Sequence, residues 1–264
     1  MPRVRVISFD LWDTVFADDS DELKRRALGL PSKTVERRNL VHQFLSRHSP
    51  IDRALVDCAY NTADSAFSQI WHHQHVTWTV EVRLRVLLRG LKRELPDEEL
   101  RELVRLHEEM ELLSRPDLVP GVADALRALA RKYRLAVISD TIFTPGRALR
   151  ELLAGYGLLD LFAAFVFSDE VGCSKPAPAM FRRAAELMGC RLDEMVHVGD
   201  REANDIAGPK NVGVRAVLLT AGINRRSAGT LADAVCADYR HLPDIIESMD
   251  IADETEAPDG QKHS

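Results

Sequence analysis

The stretch Val4-Arg5-Val6-Ile7-Ser8-Phe9-Asp10-Leu11-Trp12-Asp13-Thr14 decides the fold. A short run rich in β-branched and aromatic residues, closed by a polar turn, reads as a strand buried on both faces. It delivers an aspartate at its carboxyl end. In an open parallel α/β sheet that edge is where ligands bind. A carboxylate there can act as a nucleophile, a metal ligand or both.

Downstream of Pro116 the chain alternates between helix and strand. Gly121 to Lys132 carries apolar residues at helical spacing, and Leu135 to Ser139 is an apolar strand. Helical Pro145 to Tyr156, strand Ala164 to Ser168, helical Pro178 to Met188 and strand Met195 to Gly199 follow. Asn204 to Asn211 reads as a short helix, Val214 to Leu219 as a strand, and Ala234 to Ala237 as a last short one. Near-continuously apolar strands spaced by helices argue a parallel sheet with both faces covered.

Residues 15–115 differ. They hold amphipathic stripes, such as Leu84, Leu87, Leu88 and Leu91, or Leu100, Leu103, Val104 and Leu106. Pro96-Asp97-Glu98-Glu99 is a helix start, with proline and acids in the first turn. A loop of that length inside one domain is implausible. The expectation is a separate helical domain inserted after the Asp10 turn. The division is then 1–14 with 116–245 for the sheet domain, 15–115 for the helical one, and an acidic tail over 246–264. From Ala252 the tail is polar, lacks hydrophobic periodicity and reads as disordered.

The formal net charge of −6 resides in residues 244–264, so the rest is neutral overall. No basic surplus suggests a nucleic-acid partner. No apolar run is long enough to span a bilayer, and no signal-like segment follows Met1. Cys58, Cys173, Cys190 and Cys236 are widely spaced, which fits a reducing, cytoplasmic setting better than a disulfide framework or metal knot.

A distinctive polar group follows four of the strands. These are Asp10; Ser139 with Asp140-Thr141; Lys175 in Gly172-Cys173-Ser174-Lys175-Pro176; and Asp200 with Asp205 in Gly199-Asp200-Arg201-Glu202-Ala203-Asn204-Asp205. Singly, each has a plain reading: a helix cap, a turn serine, a solvated lysine. Carboxyl ends of parallel strands share one edge, so together they can converge. Carboxylates, one hydroxyl and one ammonium are an inventory for Mg²⁺ and a phosphoryl group.

On these motifs the chain resembles the haloacid dehalogenase superfamily of hydrolases. Phe9-Asp10-Leu11-Trp12-Asp13-Thr14 resembles its first motif, Val137-Ile138-Ser139-Asp140-Thr141 the second, Lys175-Pro176 the third, and Val198-Gly199-Asp200 with Asp205 the fourth. The resemblance spans residues 3 to about 245. It implies a Rossmann-like parallel sheet core with an inserted α-helical cap, and a hydrolase acting on a small anionic metabolite. Asp10, Ser139 and Lys175 are then catalytic, and Ser139, Thr141 and Lys175 meet the substrate. Asp10, the carbonyl of Trp12, Asp200 and Asp205 hold Mg²⁺. The 36 positions from Ser139 to Lys175 leave no room for a large cap at the family's other insertion point. Oligomeric state is not encoded in these motifs.

One position departs from the family pattern. Phosphatases of the family carry a second aspartate two residues after the nucleophile, which protonates the leaving alcohol. Here Trp12 stands there, and indole is neither acid nor base at neutral pH. Four readings follow: a 2-haloacid dehalogenase, whose halide leaves without a proton; a phosphonatase using a cap lysine such as Lys24 or Lys33; a phosphatase with a good leaving group or an acid supplied by the cap or Asp13; and a non-catalytic binding module. The dehalogenases lack the Gly-Asp…Asp pattern, which favours the phosphatase.

Other features have plain readings. Trp71-His72-His73-Gln74-His75-Val76-Thr77-Trp78 reads as tryptophans packed between helices with histidines at the surface. Lys24, Lys33, Arg25-Arg26 and Arg37-Arg38 read as solvated helix faces. His197, inside a strand, reads as a packed core histidine.

Overall fold

The computed structural model describes residues 3–225 and 228–251. Six strands, β1 (Val6–Phe9), β2 (Arg134–Ser139), β3 (Phe162–Phe167), β4 (Met195–Gly199), β5 (Arg215–Leu219) and β6 (Ala234–Cys236), form one all-parallel sheet. Their order is β3-β2-β1-β4-β5-β6. The chain walks outward from β1 to β2 and β3, then returns to its other side for β4, β5 and β6. The β1/β4 boundary is therefore the switch point, where the flanking connections diverge and leave a crevice at the strands' carboxyl ends.

Period-2 alternation sends the strand side chains to two cores. Ile7, Phe9, Leu135 and Val137 face one, with Leu126, Leu149, Leu152, Leu242 and Ile246. Val6, Ala136 and Ile138 face the other, with Met180, Phe181 and Met188. The helices behind the first core are α7 (Val122–Leu129), α8 (Gly146–Gly155) and α12 (Leu242–Ile251); α10 (Pro178–Met188) backs the second.

Between β1 and α7 lie six helices: α1 (Ser20–Ala27), α2 (Lys33–Ser46), α3 (Arg53–Gln74), α4 (Val80–Gly90), α5 (Asp97–Glu108) and α6 (Met110–Leu113). Ser32, Asp52 and Thr79 cap three of them, each side chain accepting a first-turn amide. The apolar stripes read in the sequence meet here. Leu84, Leu87, Leu88, Leu100 and Leu103 form a separate core with Phe44, Leu45, Val56 and Tyr60.

The insertion leaves and returns through paired connectors. Val119 N–H donates to Val15 O (2.9 Å) and Ala17 N–H to Asp117 O (2.8 Å). Val15 and Phe16 are buried in the sheet's core rather than the insertion's. A further bridge joins the α3–α4 turn to the segment before Lys175: Ser174 N–H donates to His75 O at 2.8 Å.

Two expected elements differ. The helix expected over Asn204–Asn211 is a wide π-type turn, Glu202–Ala207, running into a short α11 (Gly208–Lys210). The turn folds Asp205 back so that its Oδ2 accepts the Arg201 amide at 3.0 Å. Residues 246–251, assigned to the tail, continue α12. Ile246 is fully buried, and Val4 N–H donates to Asp250 Oδ1 at 2.8 Å. The tail expected from Ala252 onward lies outside the described residues. Among the described residues, no helix is long and apolar enough to cross a membrane.

His107 is buried in the insertion, with Nδ1 against Leu103 O at 2.8 Å and Nε2 without a partner among the described residues. Burial pushes its pKa down to about 3. The folded state thus holds the ring neutral while the unfolded state takes up a proton below its ordinary pKa. This term is absent at pH 7 and costs about 2 kcal/mol by pH 5. His107→Gln is expected to flatten the fall in thermal unfolding midpoint between pH 7 and pH 5; an unchanged slope refutes the assignment.

Candidate active site

Four strand ends converge on one buried ammonium. Asp10 follows β1, its amide held by Val198 O at 3.0 Å. Lys175 follows the short helix α9 (Ser168–Val171). Its Nζ donates to Asp10 Oδ1 at 2.7 Å and to Asp205 Oδ1 at 2.6 Å, and the side chain is 2% exposed. Burial alone lowers a lysine pKa, but Asp10, Asp205 and Asp140 outweigh it and hold Lys175 above its ordinary range.

Asp205 has two further partners. His197 Nε2 lies 3.2 Å from Oδ1, and the Arg201 amide donates to Oδ2. Burial penalises this carboxylate, yet Lys175 and His197 keep its pKa below the ordinary value. His197 is indeed a core histidine, as expected, but it also bears on the site. Burial lowers its pKa, and its Nδ1 meets Ser8 Oγ at 2.9 Å. Gly199 is required by this packing, because a Cβ built there meets Asp205 Cγ at 2.4 Å.

Asp140, unassigned by the sequence reading, is a fourth carboxylate. Oδ1 accepts the Lys175 amide at 2.9 Å and Oδ2 accepts Asn204 Nδ2 at 3.1 Å. Burial pushes its pKa up to about 7 despite Lys175. Asp200 is also raised to about 7, by burial and then by the charges of Asp10 and Asp205.

Asp10, Asp200 and Asp205 are all buried and present carboxylate oxygens within 4.8 Å of one another. Asp200 Oδ1 is buried and has no partner among the described residues. Hard oxygen donors of this kind, one of them orphaned, fit Mg²⁺. Asp205 is the most committed of the three, its oxygens already accepting from Lys175 and Arg201.

Above these groups lies a cavity of about 260 Å³, walled by the strand ends and by the helices inserted between β1 and β2. Asp10, Trp12, Asp140, Lys175, Arg201, Asn204 and Asp205 line the sheet side; Asp18, Lys33, Arg37, Trp71 and Glu111 are among those on the helical side. Phe143 and Thr144 close one flank.

Not every expected group faces this cavity. Ser139 is buried at the end of β2, its Oγ making only a long 3.4 Å contact to Asp140 O. Thr141 turns away from the cavity: its hydroxyl donates to Asp169 Oδ1 (3.1 Å) and accepts the Asp169 amide (3.0 Å). Its hydroxyl is thus engaged by Asp169 and Ser168 rather than presented to the cavity.

A model of the family described as haloacid dehalogenase-like hydrolase matches residues 4–213. The chain belongs to that family. Among its relatives, a glyceraldehyde 3-phosphate phosphatase of Pyrococcus furiosus is 27% identical over 256 residues, covering 95% of each chain. A phosphoglycolate phosphatase of Cereibacter sphaeroides is 29% identical over 80% of this chain and 94% of its own length. A phosphoserine phosphatase of Thermus thermophilus is 35% identical, but over only 46% of this chain and 48% of its own. The fold is shared with a 2-haloacid dehalogenase of Pseudomonas syringae, TM-score 0.67 at 22% identity, covering 93% of this chain and 99% of that one.

The helical side of this haloacid dehalogenase-like site holds charges that the sequence reading left in solvent. Lys33 Nζ contacts Asp21 Oδ1 (2.9 Å) and Glu111 Oε1 (3.2 Å). Arg37 lies flat over Phe143, 3.7 Å from the ring centroid, and reaches Glu111 at 3.4 Å. Arg25 is equally buried, paired with Glu36. Trp71 is buried, while His72 and His73 are exposed as expected. Lys24 is tied to Arg115 O and Asp117 Oδ1, both at 2.6 Å.

Gly199→Ala is expected to displace the Asp205 carboxylate and lower unfolding free energy by about 1–3 kcal/mol, the usual range for overpacking. Urea melts check it; an unshifted midpoint refutes the crowding.

Proposed function

We propose that this hydrolase is a Mg²⁺-dependent phosphatase acting on a small phosphorylated metabolite through an aspartyl-phosphate on Asp10. The observation that carries this reading is the orphaned Asp200 Oδ1, set among the carboxylates of Asp10 and Asp205 beside Lys175. Dehalogenases of the family need no metal and lack the paired acids of the fourth motif. The phosphatase names of two relatives matched over most of their length also support it.

In this reading Asp10, Asp200, Asp205 and the carbonyl of Trp12 hold the ion, which supplies charge neutralisation for the phosphoryl oxygens. Asp10 attacks phosphorus; the Asp10 O–P bond forms as the bond to the leaving alcohol breaks. Lys175 offsets charge on Asp10 and the transferred group, and the Ser139 hydroxyl, loosely engaged, turns to a phosphoryl oxygen. Water then attacks phosphorus, releasing phosphate and Asp10. The helical domain acts as the cap, shielding the intermediate from bulk water.

The missing proton donor has a candidate in the cap. Asp13 is unsuited, because its Oδ1 accepts the Asp18 amide (3.1 Å) and its Oδ2 accepts from Arg225 (2.5 Å). Asp18 lines the cavity, and burial, then Asp19 and Asp13, raise its pKa. Its Oδ1 accepts the Asp19 amide at 3.0 Å, which leaves Oδ2 for the task of giving a proton to the leaving oxygen and taking one from water, and a pKa raised above the ordinary carboxyl value favours that task. Deeper in the cap wall, Trp71 Nε1 and Arg37 Nε have no partner among the described residues. They are donors suited to an oxygen acceptor at the far end of the metabolite.

Wild-type protein is expected to release phosphate from p-nitrophenyl phosphate with Mg²⁺ and not with EDTA, and Asp10→Asn to release none. Metal-independent halide release from 2-haloacids by the same preparation overturns the reading in favour of dehalogenation. Asp18→Asn is expected to slow ethyl phosphate hydrolysis by roughly 10²-fold or more. It should act far less on p-nitrophenyl phosphate, whose leaving group departs without a proton. Equal losses on both substrates refute the Asp18 assignment.

A further inference from the structure

Arg225 lies outside all four motifs, on the loop joining β5 to β6, yet it reaches into the site. Its Nε donates to Asp200 Oδ2 and a terminal nitrogen to Asp13 Oδ2, each at 2.5 Å. Asp13 follows β1 and Asp200 follows β4, so one guanidinium bridges the two turns that flank the switch point. The loop is seated for this. Thr220 N–H donates to Cys236 O at 2.8 Å, and a Cβ on Gly222 would meet Asp13 O at 2.4 Å, so loop and turn backbones close directly on each other. Asp13 itself sits in the left-handed region at φ 54° and also accepts the Asp18 amide. Its carboxylate is thus spent on holding the turn rather than on proton transfer.

The geometry divides the two oxygens of Asp200. Oδ2 is taken by Arg225; Oδ1 is buried, without a partner among the described residues, and close to the Asp10 and Asp205 oxygens. An unrestrained carboxylate rotates between one-oxygen and two-oxygen modes, and each rotamer frozen on binding costs entropy. We propose that Arg225 is the positioning residue of the cation site: with Asp13 as its anchor, it fixes Asp200 so that Oδ1 alone is presented to a divalent cation. This rests on the Mg²⁺-dependent reading above. A planar guanidinium donating through Nε and a terminal nitrogen suits a fixed two-carboxylate bridge better than an ammonium does.

The opposite role is a distinct outcome. If Arg225 stands in for the cation, its removal frees Asp200 and tightens metal binding. If it positions Asp200, its removal weakens metal binding, in the range of about 10–100-fold typical of groups that orient metal ligands. Calorimetric titration of the full chain with MgCl₂ separates these, with urea melts in EDTA as the folding control. Arg225→Ala is expected to weaken binding by that range. Arg225→Lys should restore part of it, and Asp13→Asn should weaken it in the same direction by less. Should Arg225→Ala fail to fold, Arg225→Lys and Asp13→Asn carry the test. Unchanged or tighter Mg²⁺ binding in Arg225→Ala, or in both other variants, overturns the proposal and leaves the phosphatase reading standing. Wild-type protein that binds no Mg²⁺ overturns both.

Discussion

The arrangement depends on one ammonium. Lys175 Nζ is removed from water and placed between Asp10 and Asp205 at 2.7 and 2.6 Å. A buried charge is tolerated only when paired and hydrogen-bonded, and removing one partner of such a pair typically costs about 3–5 kcal/mol. The rest of the site follows from that requirement. Asp205 must fold back under β4, which needs glycine at position 199 and the wide turn Glu202–Ala207. His197 must sit beside Asp205 and take its second contact from Ser8 on β1. Asp140 must approach the Lys175 amide from β2. The carboxyl ends of β1, β2 and β4 and the segment after α9 are therefore held as one piece, before any ligand arrives.

The same ammonium leaves a charge imbalance. At the sheet end the cavity is lined by Asp10, Asp140 and Asp205 against Lys175 and Arg201, with Asp200 close behind. Crowded carboxylates in a poorly solvated place push one another toward protonation, which is what Asp140 and Asp200 register. A divalent cation held by these carboxylates, as proposed above, would relieve that repulsion and make the end fit for an anion. On the helical side the balance is reached differently. Lys33 and Arg37 converge on Glu111, whose other oxygen accepts from Thr144 at 2.7 Å. That network joins α2 to α6 and to the loop after β2, so charges are added to the apolar contacts that Phe143 makes with the helical core and Leu112 with the sheet's core.

Much of this was legible in the sequence because burial leaves a period. Two-residue alternation and continuous apolar runs mark the strands, and leucine stripes at helical spacing mark α4 and α5. Asp10, Lys175, Asp200 and Asp205 stood out because each follows such a strand. Arg225 did not, since nothing in a loop arginine's neighbours shows that its loop folds over another strand's turn. Lys33 and Arg37 were misread for a related reason: a cation on a helix is solvated by default, and only the tertiary approach of Glu111 and Phe143 buries it. The competition of Asp169 for the Thr141 hydroxyl is likewise invisible in the sequence, because the two lie 28 positions apart. The tail boundary failed because α12 is acidic outside and apolar within, and composition averages the two faces.

Trp12 shows where packing and chemistry contend for one position. The ring stands 5.9 Å from Phe16, against the sheet's first core, and also lines the cavity. Phe16 lies in the connector to the helical domain, beside the pairing of Val15 with Val119. An indole there adds apolar area where the connector leaves the sheet, and an aspartate would leave the aromatic contact unmade. Under the phosphatase reading proposed above, exchanging a proton-transfer group for that contact would move the acid–base task off the sheet edge and onto residues that the connectors carry, Asp18 foremost. Under the same reading, an indole in place of a carboxylate puts proton transfer on the side of the cavity that faces the inserted helices, away from the strand end that carries Asp10.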